Sequence, residues 1–294
     1  MVDLDAAARF MAGHGRLLDR RRFDVLFDGA AADGALAALS AYRNPDGGYG
    51  WGLEADLRAR ESQPGGALHA FEVFEDVGPA TSPRAVELCD WLTSVSLPDG
   101  GLPFALPVAD PAACAPFWAN ADPATSSLQI TAIVAAVAHR VGAHDPVVAQ
   151  HPWPTRATRY CLGAIAAIDD APHALVLAFA MQFLDTVHDE HPEARDLLAR
   201  LAEHVPPDGL VHVGGGLEDE FMRPLDFAPA PDRPVRELFA PAVVAAELER
   251  LAGLQQADGG WPVEFQNYSP AATLDWRGHL TVRALSILRR NAII

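Results

Sequence analysis

The stretch 257-ADGGWPV-263 decides how this chain is read, because it recurs. Related segments stand at 45-PDGGYGW-51, 98-PDGGLPF-104 and 207-PDGLVHV-213. The outer pairs of copies lie roughly 50–55 residues apart, and the central interval is about twice that, so one copy is missing near the middle. Asp-Gly is turn chemistry, since Gly supplies φ > 0. Each copy follows an amphipathic helical stretch, where Gly is a stop signal.

Those helical stretches come in two kinds. Segments 83–96, 193–204 and 241–255 are amphipathic, whereas 127–141 and 173–187 are apolar nearly all round. A helix with no polar face is buried on every side. The pattern predicts helices over 3–17, 33–43, 64–77, 83–96, 127–141, 155–167, 172–187, 193–204, 235–255 (two pieces) and 274–290. Alternating half-exposed and buried helices imply two concentric layers, an all-α barrel of the (α/α)6 type with about 11–12 helices in one domain, 1–294. The long outer-to-inner links, 44–63, 97–126, 205–234 and 256–273, then gather at one mouth. The links at the other end, such as 78–82 and 188–192, are short. Long loops on a rigid scaffold are where function usually sits.

Composition narrows the chemistry. The chain is half apolar and carries a net charge of −17, with 39 acidic residues against 22 basic ones. Every basic residue is Arg. Schiff-base, pyridoxal-phosphate and P-loop chemistries all require Lys and are excluded. The acid excess argues against nucleic acid and anionic lipid as partners. Three scattered cysteines, Cys89, Cys114 and Cys161, form no metal or disulfide spacing and point to a reduced, cytoplasmic setting. MVDLDAAARF has neither the basic nor the apolar region of a signal peptide. The apolar run 174–184 is too short to span a bilayer, which takes about 20 residues.

The pattern 254-LQQADGGW-261, echoed at 44-NPDGGYGW-51 and 97-LPDGGL-102, resembles the repeat motif of squalene–hopene and oxidosqualene cyclases. These belong to the terpene cyclase and prenyltransferase β-subunit superfamily. The resemblance implies an α/α toroid in which Gln255 or Gln256 and Trp261 tie outer helices to neighbouring loops. It further implies a cyclase-like protein holding a small apolar, isoprenoid-type molecule. In 167-AIDDAPHALVLAFAMQFL-184, Asp169 matches the proton donor of the cyclases' Asp-x-Asp-Asp motif and Asp170 its neighbour, while Ala167 replaces the first Asp. The Asp-x-Cys element of the protein prenyltransferases' zinc site has no match.

Read from the residues alone, Asp169 and Asp170 are equally a helix cap ahead of Pro172. In 44-NPDGGYGWGLEADLR-58, Glu54 and Asp56 stand near Tyr49, Trp51 and Arg58. They read as a general acid/base pair or anion site, or as an Arg–carboxylate clamp on the rim. Glu218, Asp219, Glu220 and Asp226, beside Phe227, form either a solvated acidic loop or an oxygen site for Mg²⁺. In 275-DWRGHL-280, Asp275 reads as a cap and Arg277 or His279 as an anion ligand near the helix start, or as a structural tie. His69 reads as a core histidine or a base. Phe104, Trp118, Trp261 and Trp276 join Tyr49 and Trp51 as candidate aromatic walls.

Three functions remain open at this level. In the first, Asp169, or failing it Asp56, protonates an isoprenoid-type ligand. The second is a carbohydrate-active barrel that uses Glu54 or Asp56 opposite Asp226 or Asp275. The third is a binding protein that has kept only the scaffold.

Overall fold

The computed structural model describes residues 2–79 and 82–294. Among these the chain is all-α, with fourteen α-helices. They are α1 (Leu4–His14), α2 (Leu17–Phe27), α3 (Asp33–Leu39), α4 (Pro64–Asp76), α5 (Pro83–Val95), α6 (Pro116–Ala119) and α7 (Leu128–Gly142), followed by α8 (Pro146–Ala149), α9 (Pro152–Ala166), α10 (Ala174–Val187), α11 (Glu193–Ala202), α12 (Pro224–Phe227), α13 (Pro241–Gly253) and α14 (Pro270–Arg290). Short 3₁₀ turns cover Ser40–Tyr42 and Pro234–Leu238. The strands β1 (Val211–His212) and β2 (Phe221–Met222) pair antiparallel, Val211 opposite Met222. No helix among the described residues is long and apolar enough to cross a membrane.

The helix starts follow from local chemistry. Pro occupies the first turn of α4, α5, α9, α13 and α14, where its missing N–H costs nothing. Side-chain oxygens of Asp3, Ser82, Ser127 and Ser269 accept from first-turn amides of α1, α5, α7 and α14. The Ala-rich α7 is buried along most of its length and packs on α4, α9 and α10. Contacts continue from α10 to α12, α12 to α13 and α13 to α14, and α14 packs on α2, which touches α4.

The Asp-Gly segments are one structure repeated. Gly47, Gly100, Gly209 and Gly259 all have positive φ, between 74° and 97°. The preceding Asp46, Asp99, Asp208 and Asp258 each accept from the backbone amide two residues on. The copy around Asp258 is tied to the start of the chain. Gln255 donates to the Asp3 carbonyl and accepts from its amide, and the Trp261 indole donates to the Leu251 carbonyl. The absent copy falls between α9 and α10, whose link is short.

Several boundaries differ from the sequence reading. The segment 3–17 breaks at Gly15, and α2 follows where no helix was expected. The sequence LLDRRRFDVLF looks like a solvated face, yet Asp19 and Arg22 are buried in it. They are tolerated because they are paired: Arg16 donates to Asp19 at 2.6 Å and Arg22 to Asp76 at 2.6 Å. Helix α14 starts at Pro270 under a Ser269 cap, so Asp275, Arg277 and His279 lie beyond its first turn and Asp275 does not cap it. Of the expected link 78–82, residues 80 and 81 lie outside the described residues.

A Cβ on Gly259 would collide with the Ala6 carbonyl oxygen, at a backbone conformation that already disfavours side chains. Gly215 has a similar φ of 83° and open space around it. Gly259→Ala is therefore expected to destabilise by about 3 kcal/mol and Gly215→Ala by about 1 kcal/mol, compared by urea unfolding.

Candidate functional site

The four long connections and the helices beside them line a cavity of about 1210 Å³. Its lining draws on α2, α4, α7, α8, α9, α10, α13 and α14, and on the segments after α3, α5, α11 and α13. Aromatic rings concentrate where those segments meet. Phe104 stacks on Trp118 at 4.3 Å, Phe117 meets Trp118 at 5.6 Å, and Tyr268 meets Phe117 edge-on at 5.5 Å. Phe265 stands edge-on to Trp276 at 5.3 Å.

Beside this wall lies a network of buried charge. His69 sits on α4 with both ring nitrogens against carboxylates, Nε2 at 2.9 Å from Glu54 and Nδ1 at 2.9 Å from Glu72. Two acceptors require two donors, so the ring is an imidazolium. Burial alone would lower its pKa, but Glu72 and Glu54 outweigh burial and push it up to about 9. Glu72 is held below the usual carboxylate range: burial opposes ionisation, and the cations of His69 and Arg22 overcome it.

His279, on α14, faces the same centre. Its Nδ1 lies 3.2 Å from the Arg22 guanidinium, which can only donate, so this nitrogen accepts and the ring is neutral. Burial, with His69 and Arg22 nearby, holds His279 well below the ordinary histidine value despite Glu72 at 3.8 Å.

Asp56 completes the group. One carboxylate oxygen accepts from the Trp276 indole at 2.7 Å, and the other is buried with no hydrogen-bond partner among the described residues. Burial, reinforced by Glu54, pushes its pKa up to about 6 against the lowering effects of Trp276 and Arg58. Glu54 holds the Asp56 amide with its remaining oxygen. One Glu thus links the loop, the imidazolium and the acid: Asp56 through its backbone and His69 through its ring.

The structure brings Glu54, Asp56, Phe104, Trp118, Phe227, Trp261, Trp276 and His279 together on the cavity wall. It does not bring Asp169 there. Asp169 and Asp170 are exposed between α9 and α10, off the cavity lining, and His173 rather than either Asp caps α10. The resemblance matched the local string, but the helix begins further along the chain.

Other candidates are spent on structure. Trp51 is exposed at φ 56°, its indole donating to Asn44 and its ring under Arg60. Tyr49 is fully buried against Phe74 and lies off the cavity. Arg58 pairs with Asp275. Arg277 donates to Trp261, Gln256 and Asp258, bracing the last Asp-Gly turn.

Of the acidic loop considered for Mg²⁺, Glu218 and Asp219 are exposed, Glu220 accepts from the Leu217 and Gln266 amides, and Asp226 pairs with Arg283. The group of potential metal ligands drawn together among the described residues is instead His69, Glu72 and His279. Sequence reasoning missed Glu72 and Arg22. The His-x-x-Glu spacing on an inner helix was the available signal for Glu72, since residues three apart share a helix face. No protein-family model and no curated protein matches the chain.

The imidazolium makes stability depend on pH. The folded protein keeps the His69 proton up to about pH 9, whereas the unfolded chain loses it near 6.5. Its contribution is complete below pH 6.5 and is lost as pH rises through 9. In chelator-treated protein, denaturation midpoints are expected to fall across this window by an amount on the order of 3 kcal/mol at most. His69→Gln should flatten that limb of the pH profile.

Proposed function

We propose that the chain is a small-molecule enzyme on an α/α toroid, with Asp56 as the proton donor. The inner ring is α2, α4, α7, α10 and α14; α1, α3, α5, α9, α11 and α13 lie outside. The hairpin and α12 stand where a sixth inner helix would be. The succession of contacts from α2 through α4, α7, α10, α12, α13 and α14 back to α2 supports this closure.

The observation that carries the functional reading is Asp56. It lines the cavity, one of its buried oxygens has no partner among the described residues, and burial pushes its pKa up to about 6. A carboxyl of that strength is partly protonated near neutrality and suits transfer to an oxygen atom. The Trp276 N–H and Arg58 stabilise the base left behind. The stacked rings of Phe104, Phe117 and Trp118 favour an apolar body, and aromatic faces stabilise developing positive charge by up to about 2 kcal/mol each. The substrate class is therefore an oxygen-bearing, otherwise apolar molecule of isoprenoid type, such as an epoxide, opened by acid. A 1210 Å³ cavity weighs against a bare scaffold.

The Asp226–Arg283 and Glu264–Arg250 pairs on the same wall favour a second reading, a carbohydrate ligand. Mass spectrometry of co-purifying molecules and turnover of epoxidised isoprenoids separate the two. Asp56→Asn is expected to cut turnover at least 100-fold while changing binding only a few-fold. Wild-type rates in Asp56→Asn would remove the donor, and capture of oligosaccharides alone would replace the substrate class.

A further inference from the structure

His69 and Glu72 stand one helical turn apart on α4, and His279 meets them from α14. One ligand atom from each lies within 4.8 Å of the others. Glu72 Oε2 is 2.9 Å from His69 Nδ1 and 3.8 Å from His279 Nδ1. Ligand atoms around a tetrahedral zinc are about 3.3 Å apart, given metal–ligand bonds near 2.0–2.1 Å. The observed spacings bracket that value.

One feature supports this reading, and a second shows what an ion must displace. The first lies behind His69: its Nε2 is held by the Glu54 carboxylate, itself fixed by the Asp56 amide. A histidine whose far nitrogen donates to a carboxylate is the usual support of a metal-ligating ring. The second concerns Arg22, whose Nη1 engages His279 Nδ1 at 3.2 Å and so competes for the same lone pair. Asp19 Oδ1 is buried, has no hydrogen-bond partner among the described residues, and lies 3.7 Å from that Nη1. Arg22 can exchange His279 for Asp19 while its Nε stays on Asp76.

Charge agrees. Glu54, Glu72, Asp76 and Asp19 are four carboxylates against the guanidiniums of Arg16 and Arg22. With His69 as an imidazolium the cluster lacks one positive charge, and it lacks two once His69 gives up a proton to ligate a metal.

We propose that His69, Glu72 and His279 bind one divalent transition-metal ion, Zn²⁺ foremost, on the cavity wall, with Glu54 orienting His69 from behind. A two-imidazole, one-carboxylate set suits zinc better than Mg²⁺ or Ca²⁺, which take oxygen. Three protein ligands leave a position for water or a ligand oxygen, the arrangement of catalytic rather than structural zinc. The site stands independently of the role given to Asp56, because metal binding is read without substrate.

The test uses the full chain, stripped with chelator and titrated with ZnCl₂ in a calorimeter. One ion per chain is expected at micromolar or tighter affinity. X-ray absorption at the zinc edge should show two imidazoles and oxygen. His69→Ala and His279→Ala should each lose at least 100-fold in affinity. Glu54→Gln, which touches no metal, should lose about 10–100-fold. Arg22→Gln should bind more tightly than wild type, and Glu218→Gln like wild type, with circular dichroism confirming that each variant is folded. An absorption spectrum showing only oxygen or any sulfur overturns the site, as does wild-type affinity in Glu54→Gln or in both histidine variants. Failure to bind stoichiometric zinc does the same.

Discussion

An imidazolium between two carboxylates organises this molecule. His69 belongs to α4, Glu72 to the next turn of α4, and Glu54 to the loop before it. Each acid is costly to bury alone, and the shared cation makes the burial of both tolerable. The loop therefore cannot leave the helix without stranding charge in a region of low dielectric. Because Glu54 also grips the Asp56 amide, the position of the free Asp56 oxygen is set by the same interaction. Arg22, reaching in from α2, and Trp276 and His279, from α14, close the group from the other side.

Much of the architecture was legible because it is periodic. The Asp-Gly turns recur at one interval or about twice it, and each proves to be the same positive-φ turn with the same Asp-to-amide bond. Helices α7 and α10 were evident because a segment apolar on every face has nowhere to lie but inside. Helix α2 was hidden for the opposite reason. Charge in sequence is read as exposure, and only coordinates reveal that Arg16, Arg22 and Asp76 neutralise what α2 buries.

The site was legible in its parts and not in its pairing. Glu54, Asp56, Trp276 and His279 were each singled out, but the bond from Trp276 to Asp56 spans 220 residues, and no local pattern encodes it. Arg58 finds Asp275 across 217 residues for the same reason. The Asp169 match shows the converse error. A short string fits a motif, while the helix it ought to start begins at Ala174 under His173. The His-x-x-Glu pair was present on a helix read as inward-facing, and its meaning came only when α14 supplied the third group.

Helix α14 places Trp276, His279 and Arg283 on one side at intervals of three and four, each committed to a different partner: Asp56, Arg22 and Asp226. Residues of a helix advance by about 100° each, so inserting or deleting a single one between Trp276 and Arg283 would turn part of this set off its targets. This helix and the connector that carries Glu54 and Asp56 therefore have to keep their register together. An alignment gap inside 276–283 would mark a descendant that has abandoned the site.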